Sequence, residues 1–165
     1  MAYSTVPKVR RDGSIVLKDG SGPAVTLTVE YEEGNFSFSE PVAAQTVIRD
    51  RGTITTVRKG DEEPITGSFS FYFREFTNAS NAGSGRDFIN KSGHYSGNTS
   101  SGTTGSPYIE HYAVNIHYLA EGTDFGDDTD HEVTLSKCVC TLDFTEGDPS
   151  LFTLNITCYG GITAS

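Results

Sequence analysis

Alternation of apolar and polar residues along short segments is the feature that most limits what this chain can fold into. Large apolar side chains recur at every second position in Val25–Tyr31 and Tyr112–Tyr118, and at most such positions in Ile65–Phe73. Successive side chains of a β-strand point to opposite faces, so a two-residue period places one apolar face of each strand against a core. The sequence therefore predicts an all-β protein that is β-rich throughout.

The predicted elements form a single domain over residues 1–165. Turn residues such as Gly, Pro, Asn and Asp bound the alternating segments, as expected for a two-sheet β-sandwich or barrel. One short helix is predicted over residues 86–92, and residues 1–13 form an N-terminal arm. The predicted strands cover residues 14–18, 24–31, 35–39, 45–50, 53–59, 65–76, 109–120, 132–144 and 151–159.

A segment rich in small polar residues interrupts the strands. Within residues 77–107, 21 of the 31 residues are Gly, Ser, Thr or Asn. Such a composition buries little apolar surface to offset its ordering entropy, so we expect an insertion that runs over the surface or stays mobile. The alternative is a loop that becomes ordered only against a neighbouring subunit.

The last thirty residues predict a β-hairpin with a definite register. Two strand segments, His131–Phe144 and Leu151–Gly160, flank the turn-rich link Thr145–Ser150. Their apolar faces point the same way only if paired positions sum to an even number, because a one-residue slip turns a strand over. The predicted pairs are Phe144 with Phe152, Leu142 with Leu154, Cys140 with Ile156, and Cys138 with Cys158.

That register makes Cys138 and Cys158 a candidate cross-strand disulfide. The N-terminus has no apolar segment of signal-peptide length, and cytosolic thiols normally stay reduced, so reduced cysteines are favoured. Cys138-Val139-Cys140 is not a zinc motif, because strand residues at that spacing lack the turn that lets two thiolates chelate one ion. The histidines do not converge along the sequence and no nucleophile with a positioned base can be argued, so we expect no enzyme and no cofactor.

The chain is acidic, and its charge is unevenly distributed. Lys and Arg number 12 against 22 Asp and Glu, for a net charge of −10. Residues 1–91 carry eleven bases and twelve acids, whereas residues 92–165 carry one base and ten acids. An acidic domain is poorly suited to binding DNA through its phosphates, and no run of about 18 apolar residues is present to span a membrane. The acidic half is either a solvated surface or one assembled face that repels polyanions.

Two charged loops are candidate binding elements. Arg58–Pro64 carries a basic block and then an acidic block at the predicted tip of a long hairpin. It is either a soluble turn or a complementary contact between copies of the chain. The acidic loop Asp124–Asp130 resembles a calcium loop in composition alone, because it lacks the ordered spacing and closing Glu of an EF-hand. A solvated loop is favoured there, with calcium binding as the alternative.

Several segments in a fixed order carry a resemblance to a known family. They are a basic N-terminal arm leading into Gly13–Asp19, then Thr46–Gly52, Pro64–Phe71, a single short helix, Cys138–Gly147 and a last strand ending in Cys158–Gly160. In this order the chain resembles the tail tube proteins, or major tail proteins, of long-tailed bacteriophages. The likeness lies in strand and turn patterns and runs over nearly the whole chain.

The resemblance implies a two-sheet β fold of the phage tail-tube type with one flanking helix. Subunits of that family assemble as hexameric rings, and the rings stack into a hollow tube through which DNA is ejected. The implied partners are further copies of the chain, a tape measure protein, and tail terminator and distal tail proteins. Phage DNA is expected to pass through the lumen without specific binding, and no membrane, chemistry or cofactor is involved. The implied location is the virion tail, assembled in the host bacterial cytoplasm.

Under the same resemblance, charged residues become candidates for two tasks. Candidates for contacts between rings or subunits are Arg58, Lys59, Asp61, Glu62 and Glu63 in the predicted hairpin tip, and Lys8, Arg10 and Arg11 in the arm, which is otherwise a frayed terminus. Candidates for acids that face the lumen are Glu30, Glu32, Asp50 and Asp143. The alternative function is a β-sandwich binding module for carbohydrate or calcium, using the acidic loop and the tyrosines Tyr95 and Tyr108.

Overall fold

The described part of the chain is β-rich with one short α-helix, as the alternation predicted. A computed structural model describes residues 13–30, 35–102, 109–122 and 129–165. Its strands are β1 (Gly13–Lys18), β2 (Thr26–Val29), β3 (Ser37–Ser39), β4 (Gln45–Asp50), β5 (Thr53–Lys59), β6 (Ile65–Tyr72), β7 (Val114–Ala120), β8 (His131–Thr145), β9 (Leu151–Cys158) and β10 (Ile162–Ala164). The short helix α1 spans Gly85–Asn90, and a 3₁₀ turn follows at Gly93–Tyr95.

The strands of the described residues form two antiparallel sheets. The main sheet has the strand order β2-β1-β7-β8-β9-β6-β3, with β10 beside β8, and the second sheet is the hairpin β4–β5. The long strand β8 joins the halves of the main sheet, because its first half pairs with β7 and its second half with β9. Cys138 lies at the change-over, opposite both Val114 and Cys158. The neighbouring Lys137 has a φ of 54°, and the β7–β8 pairing shifts at this point, as at a β-bulge.

The apolar faces of the main sheet form one core. Ile15 of β1, Ile116 of β7 and Leu154 of β9 are fully buried, although these strands lie far apart in the sequence. The other large core residues of the strands are Leu17, Val29, Ile65, Phe69, Phe71, Val114, Leu135, Phe152 and Ile156. Burying one such side chain stabilises the fold by about 1.5–3 kcal/mol relative to leaving it exposed. The alternating stripes of the sequence are therefore what holds the main sheet together.

The main sheet is curved, so that chain segments near its two opposite edges come into contact. The Tyr72 N–H at the end of β6 donates to the carbonyl oxygen of Glu30, just after β2, at 2.9 Å. Beyond the end of the short strand β3, the Asn35 side chain continues the pairing with β6. Its Oδ1 accepts from the Ser70 N–H at 3.2 Å, and its Nδ2 donates to the Ser70 carbonyl at 3.5 Å. The exposed edge of β6 is thus satisfied, and the sheet forms a partly closed barrel.

The predicted register of the C-terminal hairpin is confirmed. Phe144 pairs with Phe152 and Cys138 with Cys158, and the two intermediate pairs are those expected. Beyond β9, Gly161 has a φ of 84°, and the chain turns there into β10, which pairs with the first half of β8. The sequence interpretation missed β10, because three residues carry too little alternation to predict a strand.

Two predicted strands are too long at one end. β6 ends at Tyr72 and not at residue 76, and β7 begins at Val114 and not at residue 109. The segment before β7 bonds to the insertion, where the Ala113 N–H donates to the Ser100 hydroxyl at 2.9 Å. A backbone N–H that donates to a side-chain hydroxyl is not available to pair with a neighbouring strand, so the strand begins only after this residue.

The expectation of a surface or mobile insertion is wrong for part of residues 77–102, the portion of that segment that the structure describes: residues 79–83 are exposed, but the chain around α1 is buried. Phe88 of α1 and Tyr95 of the 3₁₀ turn are buried, and their rings pack edge to face with centroids 4.9 Å apart. The hydroxyl of Ser84 caps α1 by accepting from the Asp87 N–H, and Lys91 ends the helix in the left-handed conformation. This part of the segment belongs to the core of its own subunit.

A buried carboxylate holds this segment in place. Asp87 is fully buried, and it accepts hydrogen bonds from the Asn78 N–H at 2.8 Å, the Ser92 hydroxyl at 2.8 Å and the Thr77 hydroxyl at 3.1 Å. Burial raises the pKa of Asp87, but these hydrogen bonds outweigh that effect and hold its pKa below the usual value. Hydrogen bonds to a buried charge therefore supply the order that the small apolar content of the segment does not.

Asp19 fastens the other end of the insertion in the same way. Its side chain is buried beside the end of β1 and accepts from the Thr99 N–H at 3.0 Å and the Val25 N–H at 2.7 Å. Burial raises its pKa, and the hydrogen bonds, that of Ser21 first, bring the pKa below its usual value. One carboxylate thus ties the insertion to the turn between β1 and β2.

Candidate assembly surfaces

The β4–β5 hairpin extends from the main sheet with every residue of both strands exposed. Val47 pairs with Val57 across the hairpin, and these side chains remain 43% and 49% exposed. Ile54 is 53% exposed. Arg51 and Gly52 form the tip with φ angles of 47° and 88°, as in a tight two-residue hairpin turn. The hairpin therefore presents aliphatic side chains that its own subunit leaves in solvent.

The charged block Arg58–Pro64 lies at the base of this hairpin, so its predicted place at the tip is wrong. β5 pairs with β4 and not with β6, because the two-residue turn before β5 closes the tighter hairpin. Residues 60–64 instead lead from the hairpin back to the main sheet. The Ala44 N–H donates to the Asp61 carbonyl at 3.0 Å, which joins the two chains at the base.

An ion pair uses part of that charged block within one subunit. Lys59 Nζ lies 3.0 Å from Glu62 Oε1, with both side chains largely exposed. Exposed pairs of this kind stabilise by at most about 1 kcal/mol, so both groups stay available to a second molecule. The remaining candidates of the block, Arg58, Asp61 and Glu63, are also exposed.

Hydroxyl groups line the outer face of β3, β6, β9 and the second half of β8. Because side chains alternate along a strand, residues that point away from the core share this face. Its polar members are Ser37, Ser39, Thr66, Ser68, Ser70, Thr141, Asp143, Thr145, Thr153, Asn155 and Thr157, with Tyr72, Val139 and Leu151 at the margins. The pairing aligns them in rows across the four strands. We call this surface the hydroxyl face; within the described strands it carries no Lys or Arg.

The four acids proposed to face a common lumen lie in different places. Asp143 is on the hydroxyl face, where it accepts a hydrogen bond from Asn155 Nδ2 at 2.8 Å. Glu30 follows β2 and forms an ion pair with Arg74. Asp50 is at the tip of the β4–β5 hairpin, and Glu32 lies outside the described residues. The structure therefore does not bring the described three together on one surface.

Four phenylalanines cluster where β6 and β8 end and β9 begins. Phe73, Phe76 and Phe144 have ring centroids between 4.7 and 5.2 Å apart, and each ring also contacts Phe152. Phe152 is buried, but Phe76 is 48% and Phe144 is 44% exposed. We call these four residues the aromatic patch. Clustered large apolar side chains at a surface mark a site of interaction more often than single ones do.

The paired cysteines are free thiols. Cys138 and Cys158 are buried, and their thiols donate to the carbonyl oxygens of Leu135 at 3.4 Å and Ser136 at 3.1 Å. Hydrogen bonding between the two thiols raises the pKa of Cys138 and lowers the pKa of Cys158 to about 7. Burial of both sulfur atoms fits a packing role in the core better than a reactive one.

Other candidate residues fall outside the described chain or inside the core. Those outside are Lys8, Arg10, Arg11, Tyr108 and most of the acidic loop, residues 123–128. Tyr95 is buried against α1, so its assignment to an exposed binding loop is wrong. Among the residues that the structure describes, no group of three or more His, Cys, Asp or Glu side chains could hold a metal ion. Over the same residues, no helix has the length and apolar character needed to cross a membrane.

Sequence reasoning missed the aromatic patch, although a signal for it was present. Phe73 and Phe76 are three residues apart, which breaks the two-residue period of the preceding strand. Such a break places Phe76 beyond the end of β6, where it can turn towards Phe144. The alternating serines and threonines also predicted polar faces, but only the pairing of β3, β6, β9 and β8 makes them one surface.

Comparison with known proteins identifies a fold and no family. No protein-family model matches the chain, and no curated protein matches it. A similar solved chain comes from the 6-fold symmetrised cryo-EM structure of the anti-feeding prophage (AFP) baseplate. The likeness covers 100% of this chain and 97% of that chain, with a TM-score of 0.52 and 10% sequence identity. At this identity the two chains share a fold over their whole length.

Proposed function

We propose that this chain is a structural subunit of a phage-tail-type particle, in which copies form hexameric rings that stack into a hollow tube for DNA ejection. The similar chain belongs to an assembly solved with 6-fold symmetry, which supports ring formation by the shared fold. A tape measure protein inside the tube, and terminator and distal tail proteins at its ends, are the further partners of this proposal. The role requires no catalytic residue and no cofactor.

The observation that carries the proposal is the exposed β4–β5 hairpin. A two-stranded hairpin alone is marginally stable in water, and this one has no core of its own. Contact with another copy would remove Val47, Ile54 and Val57 from water and cover the open strand edges. A monomer gains nothing from such an element, whereas a subunit of an assembly does.

The hydroxyl face suits the lumen of the proposed tube. DNA is held by proteins mainly through Lys and Arg on its phosphates, with release of counterions. The described residues of the hydroxyl face offer hydroxyls and one carboxylate per copy, from Asp143, and no cation. Such a surface is wetted and repels phosphate weakly, which allows a polyanion to pass without adhering.

Electron microscopy of the purified full chain tests the proposal. At rising protein concentration we expect rings, or tubes with a regular axial repeat, in negative stain. The test variant is Val47→Ser/Val57→Ser, which changes two exposed side chains and should abolish assembly. The melting temperature of the monomer is the control measurement and should stay unchanged. A wild-type chain that sediments as a monomer at every concentration and salt tested would overturn the proposal.

A further inference from the structure

The hairpin and the aromatic patch lie at opposite ends of the same strand. The base of the hairpin leads into β6 at Ile65, and the patch begins just after β6 ends at Tyr72. At about 3.3 Å per residue, these ends of β6 are roughly 23 Å apart. Each subunit therefore carries one exposed aliphatic surface at one end and one exposed aromatic surface at the other.

The two ends also differ in charge. Beside the patch, the turn from β8 to β9 over residues 145–150 carries Glu146 and Asp148, both exposed, and no base. At the tip of the hairpin, the exposed Arg49 and Arg51 flank Asp50. The tip is thus net positive and the turn is net negative.

The two bases near the aromatic patch are already paired. Arg74 forms an ion pair with Glu30, and Arg86 lies 3.8 Å from the buried carboxylate of Asp87. These pairs leave Glu75, whose carboxylate accepts from the Asn78 side-chain amide, and the acids of the β8–β9 turn as the net negative charge at this end of the subunit.

Resting on the proposed function, we propose that the hairpin of one copy lies on the aromatic patch of a second copy, with its tip against the β8–β9 turn. Ile54, Val47 and Val57 would cover the exposed rings of Phe76 and Phe144, and both apolar surfaces would leave water together. Arg49 and Arg51 would then approach Glu146 and Asp148, which fixes the direction of approach. Because the two surfaces differ and lie at opposite ends, the contact is head to tail and leaves one surface of each kind open for a further copy.

A charge exchange tests this pairing in the full-length chain. Arg49→Glu/Arg51→Glu and, separately, Glu146→Arg/Asp148→Arg should each raise the concentration at which assemblies appear in light scattering at least tenfold. The four substitutions together should restore the wild-type concentration to within about threefold, since the pair is then reversed and intact. The control Glu110→Arg/Glu121→Arg makes the same charge change outside the turn and should not be corrected by the hairpin variant.

A cross-linking measurement keeps the test independent of assembly size. Asp50→Cys protein is mixed with Asp148→Cys protein and treated with a short bismaleimide. A dimer containing one copy of each variant is expected, and Asp50→Cys mixed with Glu121→Cys should give at least tenfold less. Of the three native cysteines, Cys138 and Cys158 are buried and Cys140 is partly buried, and wild-type protein treated alone measures their background.

The outcomes separate this inference from the proposed function. The hairpin–patch contact would be overturned if the wild-type chain forms rings or tubes but the charge variants fail to compensate each other. It would also be overturned if the wild-type chain assembles but no mixed cross-link forms. In both cases the proposed tube would stand. Absence of any wild-type assembly would overturn both. A species that stops at two copies would overturn the head-to-tail contact.

Discussion

The main sheet and the β4–β5 hairpin are built from similar strands but differ in how far their aliphatic side chains are exposed. Both are antiparallel, and both carry aliphatic residues, which alternate along the strands of the main sheet and occupy positions 47, 48, 54 and 57 in the hairpin. In the main sheet, Ile15 and Ile116 are fully buried, whereas Ile54 of the hairpin is 53% exposed. The difference teaches that aliphatic residues in a strand do not tell by themselves whether they are covered within the subunit or left exposed to another molecule.

The largest effect expected from this comparison comes from truncating one residue in each region. Phe69→Ala in the core of the main sheet should lower the free energy of unfolding by about 3–5 kcal/mol, through lost burial and the cavity that remains. Ile54→Ala in the hairpin should change it by about 0.5 kcal/mol or less, because the side chain is already half in water. Urea unfolding of the monomer, followed by far-ultraviolet circular dichroism, measures both.

Assembly should rank the same two variants in the reverse order. Ile54→Ala should weaken ring or tube formation in negative stain, whereas Phe69→Ala should leave the contact surfaces of the remaining folded molecules intact. A hairpin variant that destabilises the monomer as much as the core variant would show that the hairpin is covered within its own subunit.

The second prediction concerns the segment that covers part of the main sheet, residues 77–102. Asp87→Ala should lower the free energy of unfolding by about 1–3 kcal/mol, because the donors at Asn78, Ser92 and Thr77 lose a buried acceptor. The matched variant Asp143→Ala removes an exposed carboxylate and should cost far less. Thermal unfolding at neutral pH compares the two.

The charge of Asp87 also predicts a pH dependence with a definite sign. The pKa of Asp87 in the folded chain is lowered below its usual value, so its stabilising contribution is present above the usual pKa and is lost as the pH falls through the folded pKa. Asp87→Asn should therefore flatten the acid limb of the plot of stability against pH. An acid limb that keeps the wild-type slope in this variant would contradict the role of the carboxylate charge.

Particular residues explain how much of the fold could be predicted. The Phe144–Phe152 register followed from a short turn between two clear apolar stripes, which is local information. The partner of β5 could not be predicted in this way, because β5 has a polar link on each side, Arg51-Gly52 before it and Gly60–Pro64 after it. The two-residue link was the better hairpin signal and closes the observed hairpin.

The order within the insertion had no sequence signal of the kind that alternation gives. Asp87 takes as partners Thr77 and Asn78, which lie ten and nine residues earlier in the chain, and no periodicity connects an aspartate to such donors. Composition alone therefore predicted a segment that runs over the surface or stays mobile. The candidate lumen acids failed to converge for a similar reason: adjacency to a strand does not tell on which surface an acid lies.

A third, smaller effect is expected at the closure of the main sheet. Asn35→Ala removes the side-chain amide that pairs with the backbone of Ser70, which should cost about 1 kcal/mol and expose the edge of β6. Hydrogen exchange of the Ser70 amide should become faster, while the amides of β8 paired with β9 keep their protection. Equal acceleration in both places would indicate global loss of stability and not a local opening.

The smallest effect on stability is expected on the hydroxyl face. Asp143→Asn should change the free energy of unfolding by about 0.5 kcal/mol or less, because the side chain is exposed. Asp143→Lys should be equally mild for folding but should make assembled protein retain double-stranded DNA at low salt and release it as salt rises. DNA retention by filtration measures this, and retention by the wild-type assembly would contradict a lumen role for this face.

The position of strand partners along the chain has a consequence for synthesis. β1 pairs with β7, which follows roughly a hundred residues later, and the long strand β8 joins the sheet halves later still. The hairpin needs only neighbouring residues, which close on a timescale of about 1–10 μs. On the ribosome, the hairpin that we propose to join copies can therefore close before the rest of the subunit folds, and the nascent chain has its apolar stripes uncovered until its last strands emerge.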